Sequence, residues 1–250
     1  MAKLINGKNE LQENVNAQNA REKKALKKGK PMLFILMLAI IVALVFKNTP
    51  AYILFGSVAI VSMVWFCCYM VISLRGTSDL CGLSGERRAL ELLSELDDNY
   101  TLFYSVNIPP TAEARAAQLD IVVVGPTGLF IVEVKNMNSH IVGRYDEREW
   151  TQHKVGCQGG KYERDFYSPV KQIKTHIYKL SEFLKSENAG CYINPLVYFS
   201  NNETTLDVDG GDVPVYGYEN RHDMLNHVRS GKVLKTGQQK KIENALMKLL

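Results

Sequence analysis

Two runs without a charged residue, Pro31 to Phe46 and Ala51 to Leu74, stand four residues apart and constrain this chain more than any other feature. Runs of sixteen and twenty-four such residues must be buried, in a protein core or in a bilayer. At ~1.5 Å per helical residue the second reaches roughly 36 Å, ample for a ~30 Å hydrocarbon core, and the first roughly 24 Å. Snorkelling of Lys30 and Lys47 and local bilayer thinning cover the shortfall of the first. The expectation is therefore a transmembrane helical hairpin over 31–74, with spans at 31–46 and 51–74. The short connection Lys47-Asn48-Thr49-Pro50 makes the two helices antiparallel.

Six Lys/Arg lie between Arg21 and Lys30, one lies in the connection, and Arg75, Arg87 and Arg88 follow the second span. The positive-inside tendency then predicts a multi-pass protein of the cell membrane with both ends cytoplasmic. A buried core hairpin and a cleaved signal peptide are the alternatives, the latter disfavoured by a 30-residue leader and a second span. Gly56, Ser57 and Ala59 offer small residues for helix contact in the second span and leave a homo-oligomer open, although such residues are common in membrane helices.

The five cysteines fit the same compartment. Cys67 and Cys68 are adjacent within the apolar run, the rest are scattered, and none forms a C-x-x-C pair, as in a reducing environment. The formal net charge of +4 conceals an asymmetry. Residues 1–76 carry ten Lys/Arg against three Asp/Glu, and residues 77–250 carry twenty against twenty-three. Basicity belongs to the N-terminal part, so a nucleic-acid partner of the remainder has to be argued from a site rather than from bulk charge.

Composition and periodicity divide the chain into a basic cytoplasmic tail (1–30), the hairpin (31–74) and a cytoplasmic α/β domain (77–250). In that domain Ala89, Leu92, Leu93 and Leu96 predict a helix over Glu86 to Leu96. Thr101 to Ile108 reads as extended. Asp120 to Val124 and Leu129 to Lys135 form a hairpin around Gly125-Pro126-Thr127-Gly128, central because both its faces are apolar. A strand from Ile141 ends near Trp150, and residues 151–167 read as a polar loop. Ser168-Pro169 opens a helix to about Lys185 with the stripe Val170, Ile173, Ile177, Leu180 and Leu184. Leu196 to Ser200 and Val213 to Tyr216 suggest strands, and Thr236 to Leu250 a closing amphipathic helix.

The hairpin carries the sharpest chemical signal. With 125–128 as the loop, Val124 faces Leu129 and Asp120 lies opposite Glu133, with Lys135 one step further on the same face. Opposed carboxylates in an apolar sheet are costly, and a divalent cation between them removes the cost. Mg²⁺ is characteristically bound by one or two carboxylates plus water and substrate phosphate. A lysine beside it suits phosphodiester hydrolysis. The competing reading has Asp120 and Lys135 as solvated strand ends, with Glu133 paired to Lys135 or an arginine.

Asp120-Ile-Val-Val-Val followed by Gly128-Leu-Phe-Ile-Val-Glu133-Val-Lys135-Asn136 resembles the core of the NERD (nuclease-related) domain, placed in the PD-(D/E)XK nuclease superfamily. Gly85-Glu86 resembles the family's leading G-E, Trp150 its aromatic position after the hairpin, and Pro169-x-x-Gln172-x-x-x-His176 its P-x-x-Q-x-x-x-H helix. The likeness spans about residues 82–200. It implies a restriction-endonuclease-like core, a mixed central sheet flanked by helices. It also implies Asp120 and Glu133 as metal ligands and Lys135 as the catalytic lysine, with Glu86 and Gln172 reaching the site from helices. Spacing is compatible with both, because Glu86 heads the apolar stripe of its helix. Gln172 and His176 are i, i+4 neighbours placed to touch substrate together with Asn136.

The function expected is a membrane-anchored nuclease dependent on Mg²⁺ or Mn²⁺, acting on DNA or RNA, with DNA favoured, at the cytoplasmic face of the lipid bilayer. The alternative is a catalytically silent NERD-type module that binds nucleic acid or a protein partner there. The acidic balance of residues 77–250 favours the alternative, because basic residues such as Arg144, Arg148 and Lys154 are diluted by Asp146, Glu147 and Glu149.

Overall fold

The computed structural model describes residues 1–6, 16, 20, 60–66, 77–110, 115–155, 160–235 and 237–250. The first expected span lies outside these residues, and of the second only 60–66 is described, as helix. Among the described residues no helix is long and apolar enough to cross a membrane.

Contacts group Met1–Asn9 with Cys81–Leu250 as one compact unit. Its elements are β1 (Lys3–Asn6), α1 (Thr77–Leu93), β2 (Thr101–Ile108), β3 (Ala117–Gly125), β4 (Gly128–Lys135), β5 (His140–Arg144), β6 (Glu149–Val155) and β7 (Lys161–Tyr167). These are followed by α2 (Pro169–Ser186), β8 (Ile193–Phe199), β9 (Thr205–Asp209), β10 (Val215–Tyr216), α3 (Arg221–Arg229) and α4 (Gln238–Leu246). A six-stranded mixed sheet runs β1-β2-β3-β4-β8-β10, and a four-stranded sheet runs β7-β6-β5-β9. The α/β class with a mixed sheet flanked by helices is as expected.

The central hairpin keeps the register its loop dictates, pairing Val124 with Leu129 and Ile121 with Val132. β4 then pairs in parallel with β8, Glu133 beside Val197 and Lys135 beside Phe199. Alternation separates two cores. Leu129, Ile131, Val197 and Phe199 pack with Val170, Ile173, Leu180 and Leu184 of α2. Phe130, Val132, Leu196 and Tyr198 pack with Ala89 and Leu93 of α1 and Met224 and Val228 of α3. Ser168 caps α2, its Oγ accepting from Lys171 N at 3.5 Å, and Pro169 fills the first turn, where a missing N–H costs nothing.

Three expectations are corrected. The polar stretch 151–167 is no loop through most of its length, because β6 and β7 pair antiparallel from Glu149↔Tyr167 to Val155↔Lys161. A largely exposed, charged β7 lacks the apolar alternation that marks a strand, and its ladder to β6 supplies what the pattern omits. The first helix begins nine residues earlier than expected, at Thr77. The expected basic tail 1–30 is not wholly separate from the domain, since Lys3–Asn6 forms the edge strand parallel to β2. Lys3 N donates to Tyr100 O at 2.9 Å and Ile5 packs on the first core. Removing residues 1–6 should lower stability by about 1–2 kcal/mol and leave the β2 edge bare, read as a lower denaturation midpoint and a rise in self-association.

Candidate active site

Glu133 sits on β4 with a side chain 1% exposed, and its Oε1 accepts from Lys135 Nζ at 2.7 Å. Lys135 Nζ also donates to Gln172 Oε1 of α2 at 3.0 Å. One turn along α2, His176 Nδ1 lies 3.2 Å from Glu133 Oε2. That contact falls short of hydrogen-bond alignment, and both atoms are buried with no hydrogen-bond partner among the described residues. Lys135, 22% exposed along its side chain, meets solvent together with half-buried Gln172.

Asp120 arrives from β3 by a less regular route. The ladder to β4 ends at Ile121↔Val132, and Asp120 Oδ2 instead accepts from the backbone N–H of Val134 at 2.8 Å. The same irregularity crosses to β2, where pairing skips the step between Tyr104↔Ile121 and Val106↔Leu119. Leu102 and Tyr104 pack into the second core and Phe103 into the first, yet Val106 and Ile108 join Phe103's side. Alternation slips by one residue at Ser105, which adopts φ +57°. A serine in the left-handed region costs on the order of 1–3 kcal/mol and marks a position held by its surroundings. Here Gln118 Nε2 donates to Ser105 Oγ at 2.7 Å. Strict strand alternation would put Asp120 square against Glu133; the slip turns its carboxylate onto the Val134 amide.

Glu86 reaches the site from α1, on the other side of the sheet from α2, and is buried. Gly85 explains how the helix comes so near: a Cβ there would stand 2.5 Å from Asn136 Cβ and 2.9 Å from Ser200 Oγ. A glycine inside a helix sacrifices about 1 kcal/mol and in return admits the end of β4. Asn136 is held in this contact, donating through Nδ2 to Ser84 Oγ at 3.0 Å and accepting from Asn201 Nδ2 at 3.0 Å. Its amide thus clamps α1 to the strand ends. His176 faces Glu133. Trp150, 0% exposed, fills the space beside Gly143, donates through Nε1 to Arg144 O at 3.0 Å and stacks on Phe199. Ser105, Gln118, Ser200 and Asn201 were not expected at the site; their partners lie 13 to 65 residues away, beyond any local spacing rule.

Burial pushes the Asp120 carboxyl well above the usual carboxylate range, and the neighbouring Glu133 and Glu86 charges push it further against the opposing pull of Lys135 and the Val134 amide. Burial also tends to raise Glu133, but Lys135 and His176 more than offset it and hold Glu133 below its ordinary value. Lys135 is raised despite burial, because Glu133 and Asp120 stabilise its ammonium. Its surroundings thus favour the ammonium over the free amine that a general base would need.

Among the described residues no three His, Cys, Asp or Glu side chains gather as a ready-made metal cage. Two acidic residues whose fields interact, with a buried oxygen on Glu133 lacking a hydrogen bond, fit an ion that completes its shell with water and ligand oxygen.

Half-buried Asp120 and the E-x-K lysine meet at one end of the central sheet of this α/β domain, as the resemblance to a nuclease-related domain implies. Comparison agrees: residues 82–200 match the NERD family, a nuclease-related domain. An uncharacterized protein of Bacillus anthracis is 31% identical over 94 residues, covering 37% of this chain and 43% of the relative. The chain thus spans less than half the length of that relative. No solved structure matches.

Proposed function

We propose that this chain is a membrane-anchored, divalent-metal-dependent nuclease of the PD-(D/E)XK type, cleaving phosphodiester bonds of DNA or RNA at the cytoplasmic face. The convergence of Asp120, Glu133 and Lys135, with Gln172 and Glu86 brought in from opposite sides of the sheet, carries the reading.

Asp120 and Glu133 would hold Mg²⁺ or Mn²⁺, which supplies Lewis acidity toward a phosphate and a more acidic bound water. Lys135, protonated and fixed by Glu133 and Gln172, presents its remaining donor capacity to solvent, where it can hold a water or a phosphate oxygen as charge accumulates. His176 keeps Glu133 Oε2 within a polar contact instead of bare hydrocarbon. Asn136 and Gly85 keep Glu86 close, so that the negative potential drawing a cation is built from both sides. Contacts to phosphate rather than base edges imply weak sequence preference.

The strand Lys3–Asn6 supports the membrane part of the reading. It pairs within the sheet formed by residues that follow the apolar runs. Both ends of 31–74 must then lie on one side of any bilayer they enter, which an even number of crossings satisfies and the Lys/Arg count independently favours.

The full-length chain in detergent should gain thermal stability with Mg²⁺ or Mn²⁺, about 2.7 kcal/mol at a hundredfold excess over the dissociation constant. It should nick DNA or degrade RNA, and EDTA should stop it. Metal stabilisation and nucleic-acid binding without cleavage would instead identify the silent module, the reading that the acidic balance of residues 77–250 favours.

A further inference from the structure

On the α1 side of the central sheet, between that helix and the start of α3, lies a cleft of about 390 Å³, within the ~300–1,000 Å³ range of small-molecule sites. Its floor is polar: Tyr198, 1% exposed, and Ser200, fully buried. Burial raises the Tyr198 hydroxyl to about 12, so it stays a donor at any working pH. Arg88 and Arg221 stand on opposite walls. Arg88 makes no hydrogen bond or ion pair among the described residues. Arg221 is positioned without being neutralised, lying 4.3 Å over the Tyr218 ring and donating through Nη1 to Tyr218 O. Two guanidinium groups near the buried Tyr198 hydroxyl form an anion site, beside Ser200, whose Oγ donates to Lys135 O at 3.5 Å, and Arg in such pairs favours phosphate.

The remaining lining discriminates between anions. Glu91 on α1 and Glu95 in the turn that follows the helix face the same cleft. They repel a bare polyanion and accept hydrogen bonds from a ligand that also carries donors. A phosphate joined to sugar hydroxyls and a base amine meets both demands.

We propose that this cleft is a nucleotide subsite, with a phosphate held between Arg88 and Arg221 over Tyr198 and Ser200, and the sugar and base donors directed to Glu91 and Glu95. Ser200 connects it to the E-x-K group, because its backbone N–H donates to Lys135 O at 2.9 Å and its Oγ lies against Gly85. The subsite deepens the nuclease reading and rests on it for its role, to hold a nucleotide of the substrate strand beside the cleaved bond. Its occupancy needs no cleavage.

Adenosine 5′-monophosphate is the probe, titrated calorimetrically into the full-length chain in EDTA, so that neither metal nor turnover contributes. Binding should be measurable and at least tenfold tighter than that of inorganic phosphate. Arg88→Ala and Arg221→Ala should each weaken it by roughly tenfold or more, while Glu133→Gln leaves it unchanged. Arg88 is an exposed helix residue whose truncation leaves the core intact, so its result stands even if Arg221→Ala fails to fold. Absence of binding, inorganic phosphate binding as tightly as the nucleotide, or an affinity indifferent to Arg88→Ala would each overturn the subsite. Arginine-dependent nucleotide binding in a chain that never cleaves would keep the subsite and remove the nuclease; cleavage without such binding would do the reverse.

Discussion

Lys135→Ala is expected to destabilise the metal-free protein by about 3 kcal/mol near pH 8, as well as to abolish cleavage. The two losses have one origin. Glu133 is 1% exposed and its charge is held by the Lys135 ammonium at 2.7 Å; truncation leaves that charge buried, with His176 beside it as the remaining basic neighbour. Burial would then raise the Glu133 carboxyl unopposed by lysine. In the wild type Glu133 is held below its ordinary value, so its stabilisation is present above the unfolded carboxyl pKa of ~4.3 and is lost as pH falls through the lower folded value. In the variant the sign reverses: the penalty is full at high pH and shrinks as acid protonates Glu133. Denaturant melts at two pH values separate this from a packing defect, which would be indifferent to pH. Adding Glu133→Gln in the same chain should return part of the lost stability, with a coupling of roughly 1–3 kcal/mol between the two positions. Activity should stay absent in the double variant, because the ammonium proposed to meet the phosphate is gone.

Much of this site could be read before any coordinates, for a physical reason. A short hairpin turn fixes register: Gly125 pairs with Gly128 across Pro126-Thr127, two residues shorter than the loop expected but in the same register, so Ile121 meets Val132 and Asp120 comes near Glu133. The stripe of α2 likewise fixes which side Gln172 and His176 occupy. What was not legible is what depends on distant partners. Nothing in Tyr104-Ser105-Val106 announces that Ser105 takes φ +57° and slips the alternation of β2, since serine carries no marked preference for that conformation. The slip is stabilised by Gln118 thirteen residues on. β1 was missed because Lys3-Leu4-Ile5-Asn6 is too short to have a period and its partner begins at Thr101. The cleft proposed to hold a nucleotide draws Arg88, Tyr198 and Arg221 from three elements, so only the fold assembles it. The contacts of Asn136 to Ser84 and Asn201 were likewise not legible, because those partners lie 52 and 65 residues away.

Asp120→Asn should make the metal-free protein more stable at neutral pH, by a few degrees of melting temperature, while eliminating stabilisation by Mg²⁺ or Mn²⁺. Asparagine is nearly isosteric and its carbonyl oxygen can still accept the Val134 N–H that Asp120 Oδ2 takes at 2.8 Å, so the irregular junction with β4 keeps its hydrogen bond. What disappears is a negative charge that burial, Glu133 and Glu86 all oppose. Because the folded pKa lies above the unfolded one, the group's stabilising contribution is complete below ~3.9 and is lost as pH rises through the raised folded value. The gain from Asp120→Asn should accordingly grow with pH, near zero in acid and largest once the wild-type carboxyl is ionised. Differential scanning fluorimetry over that range, with and without metal, makes the check. A wild type that outlasts the variant without metal at high pH would show the Asp120 charge to be well accommodated, removing the electrostatic reason for a cation. Stabilisation by metal that survives Asp120→Asn would place the ion elsewhere. The two outcomes test different links: the first asks whether folding stores repulsion among Glu86, Asp120 and Glu133, and the second whether a divalent ion is what relieves it. A site built to bind a cation tightly should be under electrostatic stress without one, because the field that attracts the metal is the same field that raises Asp120.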